Sequence, residues 1–241
     1  MRIITVLIIA LLFSTNIIAQ EILSTIGGKV YIGMSVGPSF PVGSFGNDDP
    51  QDERSGYANT GYTIELNGGI RLLNLLEISV CGFRNSNNTN ITNLVNSLNS
   101  LYPGSNLRAN SDSWEIFGVL GGLGTSFSLP ANSVADIKVL GGYLNTSSPT
   151  FSVESNNSQD YVRIEGMTVA SPVYFGSFSV RYPVGDDLYL SIGFQYISSN
   201  ATFENVKTIT SINGEIEEST TSFRQSMDTT NLVVGLKYFV L

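Results

Sequence analysis

The chain has 241 residues, a formal net charge of −8 and 13% charged residues. That length fits one domain or at most two, and an acidic chain lacks the basic surface that nucleic-acid binding needs. With no His and the single cysteine Cys81, it lacks the parts for Ser-His or Asp-His hydrolysis, most zinc sites and an internal disulfide.

The start of the chain reads as an address. Arg2 precedes an apolar run over residues 3–13, and the stretch 14–20 offers a small residue, Ala19, before a plausible cut. This is the pattern of a secretory signal peptide, predicting a signal over residues 1–19 and one mature domain over 20–241. No Cys lies near the cut, which argues against a lipoprotein. No later apolar stretch is long enough for a spanning helix, so a membrane-resident mature chain must be a closed β-barrel, the other fold that satisfies its backbone in lipid.

Residues 29–37 alternate Val30, Ile32, Met34 and Val36 with Tyr31, Gly33, Ser35 and Gly37, the period-two pattern of a half-buried strand. The polar stretch 38–60 reads as a loop. A second strand over 61–71 sets Tyr62, Ile64, Leu66 and Ile70 against Thr63, Glu65, Asn67 and Arg71. After a turn at 72–75, a third strand over 76–83 sets Leu76, Ile78 and Val80 against Glu77, Ser79 and Cys81. Within 84–112, Ile91, Leu94, Val95, Leu98 and Leu101 recur at helical spacing and stop at Pro103-Gly104. This predicts a short amphipathic helix whose apolar side packs on the loops or the barrel mouth.

A fourth strand over 113–127 sets Trp114, Ile116 and Leu120 against Glu115, Phe117, Val119 and Leu123, and its glycines mark a candidate bulge. Residues 128–133 are a turn. A fifth strand over 134–144 sets Ala135, Ile137, Val139 and Tyr143 against Asp136, Lys138 and Leu140. The polar segment 145–171 leads to a hairpin, 174–196, turning at residues 183–187. Tyr174, Phe178, Val180, Tyr182, Leu188, Leu190, Ile192, Phe194 and Tyr196 lie on its greasy face; Ser177, Ser179, Arg181, Ser191 and Gln195 lie on the other. Residues 198–226 are again polar, with the part to Phe203 a candidate extension of the strand before it. An eighth strand over 229–240 sets Leu232, Val234, Leu236, Tyr238 and Val240 against Asn231, Val233, Gly235 and Lys237.

Long polar connections alternate with short turns, which predicts an all-β fold: an eight-stranded antiparallel up-and-down transmembrane β-barrel with short periplasmic turns and long extracellular loops. Three observations turn the greasy face outward. Aromatics sit where an interface belt needs them: Tyr62, Trp114, Tyr143, Tyr174 and Tyr196 at the long-loop end, Tyr182 and Tyr238 at the other. The opposite face balances its charges, Glu65, Glu77, Glu115 and Asp136 against Arg71, Lys138, Arg181 and Lys237, as a narrow filled lumen requires. The apolar bands are also as short as a tilted membrane strand needs.

On the signal ending at Ala19-Gln20, the strand-turn-strand from Val180-Arg181-Tyr182-Pro183 to Leu188, and the C-terminal strand from Leu232 to Leu241, the chain resembles the small outer-membrane β-barrel proteins common in Bacteroidetes. The last strand, with Gly235, Tyr238 and Val240, resembles the signal read by the barrel-assembly machinery; it departs in ending on Leu241 and in having Val233 where a polar residue is usual. The resemblance implies outer-membrane lipid as surroundings and that machinery as the partner in biogenesis.

No cofactor, catalytic or metal site is expected. Cys81 has no His or second Cys to activate it, no loop has the spacing of a calcium site, and the inward carboxylates read as ion-pair partners. The leading functional expectation is a structural or surface-interaction barrel that contacts an extracellular partner through its loops and is not an enzyme. The alternatives are a narrow channel for small solutes, or a soluble exported barrel binding a small hydrophobic ligand.

Overall fold

The computed structural model describes residues 29–72, 76–104, 106–156, 158 and 160–240. The expected signal peptide (1–19) and most of the turn at 72–75 lie outside them. In chain order the elements are β1 (Lys29–Pro41), β2 (Ala58–Leu72), β3 (Leu76–Thr89), α1 (Thr92–Leu101), β4 (Leu107–Ser111), β5 (Trp114–Ser128), β6 (Val134–Ser147), β7 (Phe151–Ser155), β8 (Tyr161–Ile164), β9 (Thr168–Pro183), β10 (Leu188–Ile212), β11 (Glu215–Ser226) and β12 (Thr229–Phe239).

Eight strands close a ring. The path β12-β1-β2-β3-β5-β6-β9-β10 is antiparallel at every step, and β10 pairs β12 to shut it. Each ring strand joins the next in the chain, the up-and-down order that leaves no open edge within the wall. The ends of the described chain, Lys29 and Val240, share one end of the ring with the turns at 129–133 and 184–187; the long connections share the other.

The alternating greasy residues face out. Ile32, Met34, Leu66, Val80, Val119, Val139 and Ile192 are each more than half exposed, and Tyr31, Ser35, Glu65, Glu77, Asp136, Lys138, Arg181 and Lys237 point in and are buried. Soluble monomers rarely expose apolar patches beyond a few hundred Å², whereas this one circles the whole ring. The wall is therefore a lipid-facing belt, and the barrel spans a membrane. The soluble-barrel alternative, which needs the greasy face inward, does not hold. Along β9, Tyr174 and Tyr182 face outward at opposite ends of the belt. The strand between them is about 26 Å long, so at the usual tilt it crosses roughly 20 Å, near the belt height of such barrels.

Two expectations about the fourth strand are corrected. Pairing of β5 with β3 and with β6 runs without a register shift, so its glycines mark no bulge. Gly118 instead leaves room for the ring of Phe83 and the side chain of Leu144, which a Cβ there would strike at 2.3–2.8 Å. The parity of the strand is also reversed: Trp114, Ile116 and Leu120 are buried inside, and Phe117, Val119 and Leu123 face lipid. Apart from Glu115 both sets are apolar or glycine on this strand, so alternation had almost nothing to discriminate.

The long connections are largely folded. β10 runs 25 residues, well past Phe203, and returns as β11 through Asn213 and Gly214, both at positive φ (53° and 82°), the backbone of a tight primed hairpin turn. Beyond the barrel rim, β11, β10, β8, β7 and β4 make a second, five-stranded sheet. Asn99 of α1 closes the free edge of β4: its side-chain amide donates to the Leu107 carbonyl (3.1 Å) and accepts from the Leu107 N–H (2.7 Å). That side-chain amide takes the place of a paired strand. α1 lies where the sequence places it and contacts β4. Leu94, Val95 and Leu98 are half-buried, but Leu101 at its end is exposed.

Candidate functional site: a lumen closed at two levels

At the short-turn end the lumen is filled by charge. β6 and β12 point Asp136, Lys138 and Lys237 inward, β3 supplies Glu77, and β2 and β9 supply Arg71 and Arg181. Lys138 meets Glu77 at 2.9 Å. Asp136 takes Lys237 at 2.9 Å, Arg181 at 3.5 Å and Arg71 at 3.9 Å, and accepts the Ser126 hydroxyl at 2.7 Å. Tyr31 joins the layer from β1, donating its hydroxyl to Glu77 (2.6 Å) and accepting from Lys138. Lys138 and Lys237 also lie over the Tyr31 ring, and Arg71 and Arg181 over that of Phe239. Sequence reasoning put Tyr31 on the inward face but missed its part in this layer; its place among glycines and serines on that parity was the available signal.

At mid-height Glu65 belongs to a different group. It accepts from Asn67 and Gln195 and makes no ion pair among the described residues. A small cavity of about 30 Å³ adjoins it, lined also by Ser35, Cys81 and Lys138. That is space for about one water, not a passage.

At the long-loop end the filling is apolar. Phe45, Trp114, Ile116, Leu144, Val173, Ile197, Ala201, Phe203 and Met227 are buried in one cluster. Trp114 is edge-on to Phe45 (5.5 Å) and Phe203 (6.0 Å), and Phe203 stacks on Phe223 (4.8 Å). Two devices insert these rings. The β1–β2 loop folds back so that its backbone clamps Phe45, with Ala58 N–H on the Phe45 carbonyl (3.0 Å) and Gly56 N–H on that of Ser44 (2.8 Å). A bulge in β10 after Phe203, with Asn205 at φ 57°, lets both Phe203 and Val206 bury. Beside the rings, Ser39, Asn85, Asn87 and Thr229 form a buried polar group bonded to one another and to the wall.

Two expected site residues are therefore placed differently. Trp114 is 4% exposed and donates its indole N–H to the Gly56 carbonyl (3.0 Å); it caps the lumen and is not part of the lipid belt. Glu115 points outward, where it pairs with Arg84 at 3.0 Å and accepts from Ser86 at 2.7 Å. Both follow from the reversed parity of β5. Tyr62, Tyr143, Tyr174, Tyr182, Tyr196 and Tyr238 face outward and are exposed.

No protein-family model and no curated protein matches the sequence. Among solved structures the chain is similar to neisserial surface protein A (12% identity, TM-score 0.47, covering 87% of this chain and 96% of that one). It is also similar to a major outer membrane protein from Thermus thermophilus (8%, 0.49, 88% and 98%). A third is the outer membrane protein OprG from Pseudomonas aeruginosa (9%, 0.45, 88% and 95%). At these identities and scores the likeness decides nothing about function.

Proposed function

We propose that the protein is a non-enzymatic outer-membrane β-barrel that works as a sealed pedestal, holding the five-stranded sheet outside the cell for contact with an extracellular partner. The observation that carries this is the double closure of the lumen, ionic at one end and aromatic at the other, beneath a sheet that projects from the long-loop rim. A channel needs a continuous polar passage, and the plug interrupts one. In this reading residues 1–19 direct export, the barrel-assembly machinery inserts residues 20–241, and the chain is of the Bacteroidetes type that its signal, its strand-turn-strand at 180–188 and its last strand together resemble. The lumen charges Glu65, Arg71, Glu77, Asp136, Lys138, Arg181 and Lys237 serve closure, not catalysis.

The test uses the buried Cys81 as a silent background. Ile212→Cys, at the exposed hairpin tip, should react with a membrane-impermeant maleimide on intact cells, and the pure protein should show no steady conductance in planar bilayers. Recovery in the soluble periplasm, or a stable open conductance, would overturn the proposal.

A further inference from the structure

The short-turn layer holds more positive charge than its carboxylates match. Arg71, Lys138, Arg181 and Lys237 face Glu77 and Asp136. Even with Glu65 counted from the level above, the cations outnumber the carboxylates. Asp186 and Asp187 sit on the nearby turn but are exposed to water, where their charge is screened.

The surplus falls on the guanidiniums. Lys138 and Lys237 each have a carboxylate at 2.9 Å. Arg181 is 1% exposed, yet its Nε makes no hydrogen bond and its Nη1 reaches Asp136 only as an ion pair at 3.5 Å; Arg71 donates its Nη2 to Ser126 (2.9 Å), but its Nε makes no hydrogen bond. Both side chains lie over one ring, with Cζ 5.5 Å (Arg71) and 4.9 Å (Arg181) from the Phe239 centroid. A ring face attracts a cation but offers the in-plane N–H groups no acceptor, and buried unbonded donors are costly.

We infer that Arg71 and Arg181 form a binding site for one small oxyanion of the phosphate or carboxylate kind, entered from the short-turn side. Guanidinium presents its N–H groups as a planar fork that matches two oxygens at once. An oxyanion there supplies both the missing charge and the missing acceptors. The aromatic plug bars the other end, and the Arg71 side chain, 19% exposed, marks the open side. Its occupant joins the ionic closure instead of breaking it.

The probe is inorganic phosphate, titrated calorimetrically at constant ionic strength into the full barrel refolded in a neutral detergent. Wild type should bind saturably at one site per barrel. Arg71→Gln should weaken that binding by about tenfold or more, as loss of a charged hydrogen-bond partner requires. Arg84→Gln, on the outer surface, should leave it unchanged. If Arg71→Gln fails to fold by gel mobility, Arg71→Lys replaces it, keeping the charge but losing the fork, with the same expected loss. Absence of saturable binding by wild type, or equal binding by wild type and the Arg71 variant, overturns the inference.

Discussion

The two ends of this lumen are closed by opposite chemistry. At the short-turn end Asp136 gathers three cations within 4 Å, and nearly every side chain that touches it is charged or hydroxylated. At the long-loop end Trp114 packs edge to face with Phe45 and Phe203, among aliphatic neighbours. The ionic layer is built wholly from barrel strands, whose rigid register fixes where each charge lands. The apolar layer borrows Phe45 from a loop and Phe223 from the projecting hairpin, so it couples the barrel to the sheet above. Ion pairs depend on partners and fail when one is removed; apolar packing depends on volume and fails by leaving a cavity.

That contrast predicts graded losses, read as folded fraction by gel mobility across a urea series in lipid vesicles. The largest belongs to Asp136→Ala, which leaves Lys237, Arg181 and Arg71 without their shared carboxylate; breaking a buried pair costs about 3–5 kcal/mol. If this variant is as stable as wild type, the ionic layer does not hold the barrel shut.

Next comes Ile116→Ala in the plug, at about 2–5 kcal/mol, with greater protease sensitivity in the projecting hairpin than Asp136→Ala causes. Equal hairpin sensitivity in the two variants would show that the plug does not couple sheet to barrel.

Ile192→Lys places a charge on the lipid face and should cost about 2–4 kcal/mol. Ser191→Lys, its inward neighbour, should be milder because lumen carboxylates or water can meet the ammonium. The reverse order would mean the belt does not face lipid.

The smallest effect is expected from Arg84→Ala. Its pair with Glu115 is more than a third exposed on both sides, so the loss should be below about 1 kcal/mol and vanish at high salt. A larger, salt-independent loss would place this pair within the packed wall.

The ionic layer is legible in the sequence because charged residues on an alternating strand declare their parity: Glu77 between Leu76 and Ile78 and Lys138 between Ile137 and Val139 can face only one way if the belt is to be apolar. The apolar layer is not. From Ile116 to Leu123 both parities are greasy or glycine, and the one charge beside them, Glu115, pairs with Arg84 on the outer face, so the inward turn of Trp114 has no signature in the pattern.

The projecting sheet was missed for a different reason. Its strands are rich in Ser, Thr, Asn and Glu, and a sheet outside the membrane needs no continuous greasy face. One local signal was present: Asn213-Gly214, between Ile212 and Ile216, is a strong hairpin marker. Reading it would have extended β10 and found β11.

By itself, the sequence determined the eight ring strands, their order and the lipid-facing side of seven of them. The period of two and the alternation of short turns with long loops are local properties that a membrane enforces strand by strand. Only the tertiary structure decided what fills the long-loop end. A loop phenylalanine, a reversed tryptophan strand and a bulged hairpin meet there from distant parts of the chain, and their fit depends on shape, which no single strand encodes.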